Sequence, residues 1–446
     1  MSKARLVARL VVISLTAHLA LGGCSSDEED ESTDTIVIGF PLPETGPFSG
    51  FGDGSKFGIE AAIDDISALG GVPVGDQKLP VELVIRDNES DPTKAQYVTE
   101  DLAANEDVDF IVSGAQPPAT HISIGQVAEH FEIPHIVGAG PKEPWLAAVG
   151  QPVWEYTWFS GFAIGEPAAQ DDFRFEKSGY TIQDTWLGAL EQVKSETNLT
   201  VGVFAFDDSD GRGWYPIFAG LLEDAGYTVV GWKENLGMLA ETATDEDRAT
   251  VIQEWMDQNV EIVWGNAPAP VMAGLWITAQ EKGFQPKVFF GARGALFYED
   301  VGGMAWGGDA PVGLGTEVWW NPAYSGDECP GIGDTTPESL AQRWTEAKDM
   351  PPNQAVGAAY QLMQILFDAI ERAGTLDAAA VNQAIGETDM ASIAHRIKFD
   401  QEHFNRMPLQ FGQWASTDTE WGWELSIVHS AHDFSAATEG VTLMSQ

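Results

Sequence analysis

The segment from residue 36 to residue 71 constrains the fold more than any other part of the chain. Ile36–Phe40 has the pattern of an apolar strand, and it leads into a glycine-rich stretch, Glu44–Asp53. Apolar residues at helical spacing follow and end at Gly70-Gly71, a pair suited to stopping a helix. The segment therefore predicts a strand, a loop and a helix, the first half of an α/β unit. In open α/β sheets the loop at the carboxyl end of such a strand is where ligands bind.

The same alternation continues along the chain. Apolar runs predict buried strands at Val81–Arg86, Phe110–Ser113, His135–Gly138, Val201–Phe206, Ile262–Gly265 and Lys287–Gly291. Amphipathic patterns predict helices at Lys94–Asn105, Ile122–His130, Trp214–Ala225, Val271–Lys282 and Val356–Ala373. Near-continuous apolar strands between amphipathic helices indicate parallel sheets that are covered on both faces. The strands fall into two sets, so we predict an α/β chain with two doubly wound parallel-sheet lobes.

Composition excludes several classes of protein. The chain has 446 residues, of which 44% are hydrophobic, enough to build large cores. Its formal net charge of -45 excludes nucleic-acid binding as a main role and disfavours electrostatic binding to anionic lipid. Such a charge also keeps molecules apart, so we expect a monomer.

The first residues form a targeting segment. Basic residues precede an apolar run, Leu10–Leu21, that is too short to span a membrane as a mature helix. The run ends in Leu21-Gly22-Gly23-Cys24, which looks like a bacterial lipobox. We predict a lipoprotein signal peptide at 1–24, an acidic tether at 25–34 and a lipid anchor on Cys24, which places the protein outside the cell membrane or in the periplasm. The alternative is an ordinary signal peptide with an incidental cysteine.

The sequence lacks the motifs of common catalytic sites. No Gly-x-Ser-x-Gly elbow and no His-Glu-x-x-His zinc motif occur. Gly52, Gly54 and Gly58 miss the spacing of a dinucleotide fingerprint, and Asp208–Asp210 lacks the final glutamate of a calcium loop. We therefore predict no catalytic residue, no metal and no cofactor. An enzyme stays open as an alternative that no motif supports.

Short segments in a fixed order resemble the branched-chain amino acid receptors, the type I solute-binding proteins of ABC importers. The segments are Thr45-Gly46-Pro47, Ser90-Asp91-Pro92, Ile133-Pro134-His135-Ile136, Asp207-Asp208-Ser209, Gly211-Arg212-Gly213 and Ile397-Lys398-Phe399-Asp400. The resemblance implies the type I periplasmic binding protein fold, in which two lobes joined by three crossovers close on a ligand. It also implies an ABC permease as partner.

The resemblance further implies lobe boundaries. It places lobe 1 at 35–157 plus 322–409 and lobe 2 at 158–321 plus 410–446. The crossovers are expected near Tyr156–Phe159, Trp319–Asn321 and Met407–Gln410.

Six ligand-binding positions also follow from the resemblance. They are Phe51, Gln116, Ala139, Pro141, Asp210 and Arg293. Phe51 falls where relatives place an aromatic residue beside the ligand. Proline stands at Pro117, Pro118 and Pro141, in loops where relatives use hydroxyl groups to hold the ligand carboxylate, and proline offers neither a hydroxyl nor an N–H donor.

Arg293 falls where the amino acid receptors carry the glutamate that binds the ammonium group. An arginine at that position suits a carboxylate, so we predict a carboxylate ligand with an aromatic or apolar body. One alternative is an amino acid or amide bound in reverse, with Asp210 taking the ammonium group. Arg293 could also face solvent or pair with an acid. Outside transport, the chain could be a ligand sensor.

Overall fold

Two large β-sheets with helices on their faces form the core of the computed structural model, which describes residues 35–150, 153–302, 312–435 and 437–444. These residues belong to a compact unit that begins at Thr35. The predicted signal peptide, the tether and Cys24 lie outside the described residues. Within the described ranges, no helix is long and apolar enough to cross a membrane.

The helices and strands are numbered in chain order. The strands are β1 Ile36–Leu42, β2 Val72–Val74, β3 Gln77–Leu79, β4 Val81–Asp87, β5 Phe110–Ser113, β6 His135–Pro141, β7 Thr157–Phe162, β8 Thr200–Phe206, β9 Thr228–Val230, β10 Met238–Leu239, β11 Ile262–Ala267, β12 Val288–Arg293, β13 Gly315–Val318, β14 Asp389–Ala391, β15 Arg396–Lys398, β16 Phe404–Arg406, β17 Gln410–Ser416 and β18 Trp423–Ser430. The helices are α1 Ser49–Ala68, α2 Pro92–Asn105, α3 Pro118–Phe131, α4 Lys142–Val149, α5 Ile182–Val193, α6 Ser209–Asp224, α7 Asp245–Asp257, α8 Ala269–Lys282, α9 Tyr298–Val301, α10 Pro337–Lys348, α11 Ala355–Ala373 and α12 Ala378–Gly386.

The first sheet is parallel throughout, in the order β16-β7-β6-β5-β1-β4. The second has the order β10-β8-β11-β12-β13-β17-β18, with β9 also paired to β8. Its pairings are parallel except at one edge, where β17 is antiparallel to both of its neighbours, β13 and β18. The predicted α/β class with two parallel-sheet lobes is confirmed, and this antiparallel edge is the addition that the structure makes.

Among the described residues, the chain passes between the two sheets three times. The chain leaves the second sheet after Val318 and returns to it from Arg406 to Gln410. The first crossover comes later than predicted, because Thr157–Phe162 is a hydrogen-bonded strand of the first sheet. The connection therefore follows Phe162 and ends at α5. The remaining lobe boundaries stay predictions.

The loop after β1 is shorter than the predicted glycine-rich loop, Glu44–Asp53. Helix α1 already begins at Ser49, so several of these glycines lie in its first turns. A Cβ atom on Gly52 would lie 2.1 Å from the carbonyl oxygen of Pro43. Glycine is required there because the helix starts against the backbone of the preceding strand and leaves no room for a side chain.

Helix α11 is the central helix of the first lobe. Every residue from Ala355 to Phe367 is buried, and α11 shares a core with the first sheet and α1. The two helices approach at Gly58, where a Cβ atom would lie 2.1 Å from the carbonyl oxygen of Val356. This close contact fixes α1, and with it the first-lobe side of the region at the strand ends.

We predict that Gly58→Ala destabilises the protein, because an added methyl group has to push α1 away from α11. Overpacking of this kind costs about 1–3 kcal/mol. Gly220→Ala in α6 is the matched control, since a Cβ atom there has no neighbour within 4 Å. The control should be neutral or slightly stabilising, because alanine favours helix. Urea unfolding measures both, and an equal effect of the two changes would contradict the close packing.

Candidate functional site

All six predicted ligand-binding residues line one buried cavity between the two sheets. Phe51, Gln116, Ala139 and Pro141 come from the first lobe, and Asp210 and Arg293 come from the second. The other lining residues are Pro117, Pro118, Gly140, Phe162, Trp214, Ala292, Leu296, Glu317 and Trp319. The structure therefore brings the six residues together, while their contact with a ligand stays a prediction.

The cavity is nearly shut in this conformation. Its volume is ≈ 30 Å³ when measured by the positions that the centre of a water-sized sphere can take. One water needs about 10–15 Å³ on this measure, so there is room for roughly two waters. A larger ligand therefore needs the lobes to part before it can bind.

Residues of both lobes meet beside the cavity. The ring of Phe51 on α1 lies 4.8 Å from that of Phe297, measured between centroids, in an edge-to-face arrangement. The Asn353 side-chain amide donates to the Gly50 carbonyl at 3.0 Å and to Oε1 of Glu299 at 3.2 Å. Since Phe297 and Glu299 follow β12 of the second sheet, these contacts hold the two lobes against each other.

Aromatic rings form most of the apolar wall. Phe162 stacks on Trp319 with a centroid distance of 5.9 Å, and Phe51 lies 6.0 Å from the same indole. Trp214 adds a further ring, 6.3 Å from Phe162. The sequence predicted that some tryptophans would line the pocket, and Trp214 and Trp319 do so. Others, such as Trp264, lie in a lobe core.

The first lobe contributes little free polarity. Both ends of the Gln116 amide are engaged: Oε1 accepts from Asn88 Nδ2 at 2.6 Å, and Nε2 donates to the Pro41 carbonyl at 3.0 Å. Helix α3 follows directly, with Pro117 as its N-cap and no side-chain capping bond. Gln116 therefore shapes this wall and has its hydrogen-bonding groups occupied within the lobe.

The second lobe supplies the charge, and Arg293 is at its centre. Its Nη1 donates to Asp208 Oδ2 at 2.8 Å, and its Nε donates to Asn266 Oδ1 at 2.7 Å. Nε also lies 3.4 Å from Asp210 Oδ2. Only 7% of Arg293 is exposed, and its backbone has a left-handed φ of 57°, which costs about 1–2 kcal/mol for a residue with a side chain.

The two aspartates have additional partners. Asp208 caps α6 by accepting from the Gly211 backbone N–H at 2.7 Å, so one carboxylate holds both a helix end and Arg293. Asp210, in the first turn of the same helix, accepts from Asn266 Nδ2 at 3.1 Å. Its other oxygen, Oδ1, is buried without a hydrogen bond among the described residues. Burial raises the pKa of Asp210, although the charge of Arg293 opposes this.

Glu317 is the functional candidate that the sequence analysis missed. It lies on β13, lines the cavity and is 1% exposed. Burial raises its pKa to about 8, and the negative charge of Asp210 adds to this. The one available signal was an acid inside the apolar run from Val312 to Trp320. A buried acid in such a run calls for a partner or a role.

No cluster of three or more histidine, cysteine, aspartate or glutamate side chains within the described ranges is arranged to hold a metal ion.

Two α/β lobes with crossover connections and a cavity at their junction define a two-lobed binding protein for small molecules. The chain matches the periplasmic binding protein family over residues 35–419, and it belongs to that family of solute receptors. Membership of this family indicates an exported protein.

Relatives support the same class. A leucine-, isoleucine-, valine-, threonine- and alanine-binding protein of Pseudomonas aeruginosa is 24% identical over 406 residues, covering 87% of this chain and 91% of that protein. A leucine-binding protein of Thermotoga maritima superposes with a TM-score of 0.68 at 20% identity, covering 89% of this chain and 99% of that one. A solute-binding protein of Rhodopseudomonas palustris in complex with 3,4-dihydroxybenzoic acid has a TM-score of 0.64 at 16% identity, covering 91% and 99%. At these identities the solved structures establish the fold.

We predict that Arg293→Ala lowers the free energy of unfolding by about 3–5 kcal/mol without any ligand, because it leaves the buried Asp210 uncompensated. Arg212→Ala is the matched control: this arginine lies in the same helix start and pairs with Asp207, but its side chain is 64% exposed. A surface pair contributes about 1 kcal/mol at most. Chemical unfolding compares the two variants, and similar small losses would mean that Arg293 does not neutralise the site.

Proposed function

We propose that this protein is a lipid-anchored substrate-binding protein of an ABC importer, and that it captures a small organic solute by closure of its lobes. One observation carries the proposal: residues of both lobes line a single buried cavity at the carboxyl ends of their strands. A ligand held there contacts both lobes, so it favours the closed arrangement. Delivery to a permease and a monomeric state complete the proposal.

The ligand body is proposed to be apolar or aromatic. Phe51, Phe162, Trp214 and Trp319 provide rings on several sides, and sites for small molecules combine such walls with a few polar anchors. Similar structures contain ligands with either kind of body: one holds isoleucine, which is aliphatic, and another holds an aromatic acid.

The ligand could be an anion or could carry N–H donors, and the contacts of Arg293 bear on this choice. The sequence analysis predicted a carboxylate bound by Arg293, but this arginine is already bonded to Asp208 and lies beside Asp210. The Nη2 group of Arg293 makes one long bond, 3.5 Å to the Asn266 carbonyl, but a ligand anion that reaches it also approaches two aspartates that share this single cation. The geometry therefore favours the alternative, an amino acid, amide or amine whose N–H groups reach Asp210. A sensor without transport would use the same cavity, and genes encoding a permease beside this one would favour transport.

We predict that the ligand raises the melting temperature. We also predict that it makes the particle more compact, because it shifts molecules whose lobes have parted in solution to the closed arrangement. Binding only to the folded state stabilises it by about 2.7 kcal/mol at a hundredfold excess over Kd, which a thermal-shift screen of amino acids, amines and aromatic acids detects. Solution scattering with the best compound should then show a smaller radius of gyration. Phe51→Ala should weaken charged and neutral analogues equally, since it removes packing alone. A scattering profile that stays the same at saturation would contradict lobe closure.

We predict that Cys24→Ser abolishes the membrane anchor, because the lipid is attached through the thiol. The variant should appear either as a released protein without lipid or as an unprocessed precursor. Cys329→Ser is the control, since Cys329 is buried in the first lobe and should not affect acylation. Detergent partitioning and intact mass decide the matter: the same lipid mass on the Cys24 variant would refute the anchor.

A further inference from the structure

Glu317 is a buried acid that lines the cavity, and capture of a solute by lobe closure does not by itself require an acid there. Strand β13 pairs with β17 at Glu317 itself, opposite Phe411, and with β12 at Gly315. Its carboxyl group accepts one hydrogen bond from a neighbouring side chain, from the Thr316 hydroxyl to Oε2 at 3.3 Å. A carboxyl group in a site with so few donors is costly to ionise unless a positive partner arrives.

Among the described residues, the charged groups that line the cavity provide no unpaired cation for Glu317. Arg293 is the cation that lines the cavity, and it is engaged by Asp208, Asp210 and Asn266. Asp210 Oδ1 is buried without a hydrogen bond from any described residue, and the Trp214 indole N–H, also unbonded, is a further donor near this carboxyl group. The cavity therefore holds one cation that is paired with two carboxylates, one incompletely bonded acid and one further acid. The two acids favour a ligand that brings hydrogen-bond donors and positive charge.

We propose that Asp210 and Glu317 together bind an ammonium group of the ligand, and that the arriving cation displaces a proton from Glu317 to solvent. The step is balanced: a neutral carboxyl group and an alkylammonium ion become a carboxylate–ammonium pair plus one released proton. This inference rests on the proposed function, because it assigns the chemical class of the solute and a role to Glu317 within the same cavity.

The groups that face Glu317 set the direction of the pH dependence. Asp210 from α6 and Arg293 from β12 line the same cavity as Glu317, and Asp208 is paired with Arg293. Strand β17 places the neutral residue Phe411 directly opposite Glu317, and the amide of Gln354 donates to the Glu317 backbone carbonyl. Asp210 is the charged neighbour that acts on the Glu317 carboxyl group, and it raises the pKa that burial has already brought to about 8.

The raised pKa of Glu317 determines whether ligand affinity rises or falls with pH. Below about pH 8 the free protein carries a proton on Glu317, and an ammonium ligand has to expel it. Affinity for a cation should then rise as pH increases towards 8, by up to tenfold per pH unit. An anionic ligand behaves in the opposite way, because it uses the protonated carboxyl group as a donor and loses it as pH rises.

Titration calorimetry with simple probes tests the inference. Benzylamine and L-leucine carry an ammonium group, and benzoate is the anion matched to benzylamine. Each is titrated at several pH values between about 6 and 8, in two buffers with different ionisation enthalpies, so that proton release is counted directly. The expected result is binding of an ammonium probe with release of close to one proton at pH 7 and with affinity that rises with pH.

Two variants separate Glu317 from other acids. Glu317→Gln should abolish proton release and flatten the pH profile while the protein still folds, which its melting temperature checks. Asp300→Asn is the matched control: burial raises the pKa of Asp300 to about 7, but this acid does not line the cavity, so its variant should release the proton as wild type does.

Each outcome decides the inference. Binding of benzoate with affinity that falls as pH rises would overturn the ammonium assignment, and so would a lack of binding by both ammonium probes at millimolar concentration. Unchanged proton release in Glu317→Gln would overturn the role of Glu317. In all three cases the proposed function survives if some solute from the wider screen binds and compacts the protein, and it fails only if none does.

Discussion

A buried guanidinium group needs compensation, and the way in which Arg293 obtains it organises the second lobe at the cavity. Arg293 ends β12, and its partners come from the segment after β8, Asp208 and Asp210, and from Asn266 on β11. One charge thus connects the carboxyl ends of three neighbouring parallel strands, which is the edge where α/β sheets bind ligands. The left-handed backbone at Arg293 shows that this arrangement is maintained against a local conformational cost.

The first lobe is built on a different principle. Its side of the cavity consists of rings, prolines and an amide that is already satisfied, and its position depends on helices in backbone contact at Gly58. This wall offers shape and apolar surface, whereas the opposite wall offers charge. Because each lobe supplies one half of what a small polar molecule requires, neither half alone makes a complete site. In the proposed function, this division couples binding to closure.

The sequence predicted the repeating parts of this fold well, because periodicity records which face of an element is buried. The bounds of strand Phe110–Ser113 were predicted to the residue. Helix α2 starts at the predicted Asp91-Pro92 pair, where Asp91 caps the helix by accepting from the Lys94 backbone N–H. The edge strands β17 and β18 and the late first crossover were missed, since antiparallel pairing and the exact point of lobe exchange depend on tertiary contacts. In the site, the six predicted positions line one cavity and their contact with a ligand stays a prediction, whereas side-chain partners could not be inferred from the sequence. Arg293 led the sequence analysis to predict an anionic ligand. Only the fold showed that Asp208 and Asp210 already pair with this arginine.

The strong acidity of the chain and the acidity of the cavity act in the same direction. A net charge of -45 repels anions and concentrates cations near the surface. At physiological salt this field decays over about 8 Å, so it biases the approach of a solute and does not determine its bound pose. Selection has to occur inside the cavity, where solvent is scarce and single charges weigh more. There Arg293 is paired with aspartates, one oxygen of Asp210 has no hydrogen bond within the described part of the chain, and Glu317 lines the same cavity. The interior therefore favours cations, as the surface does.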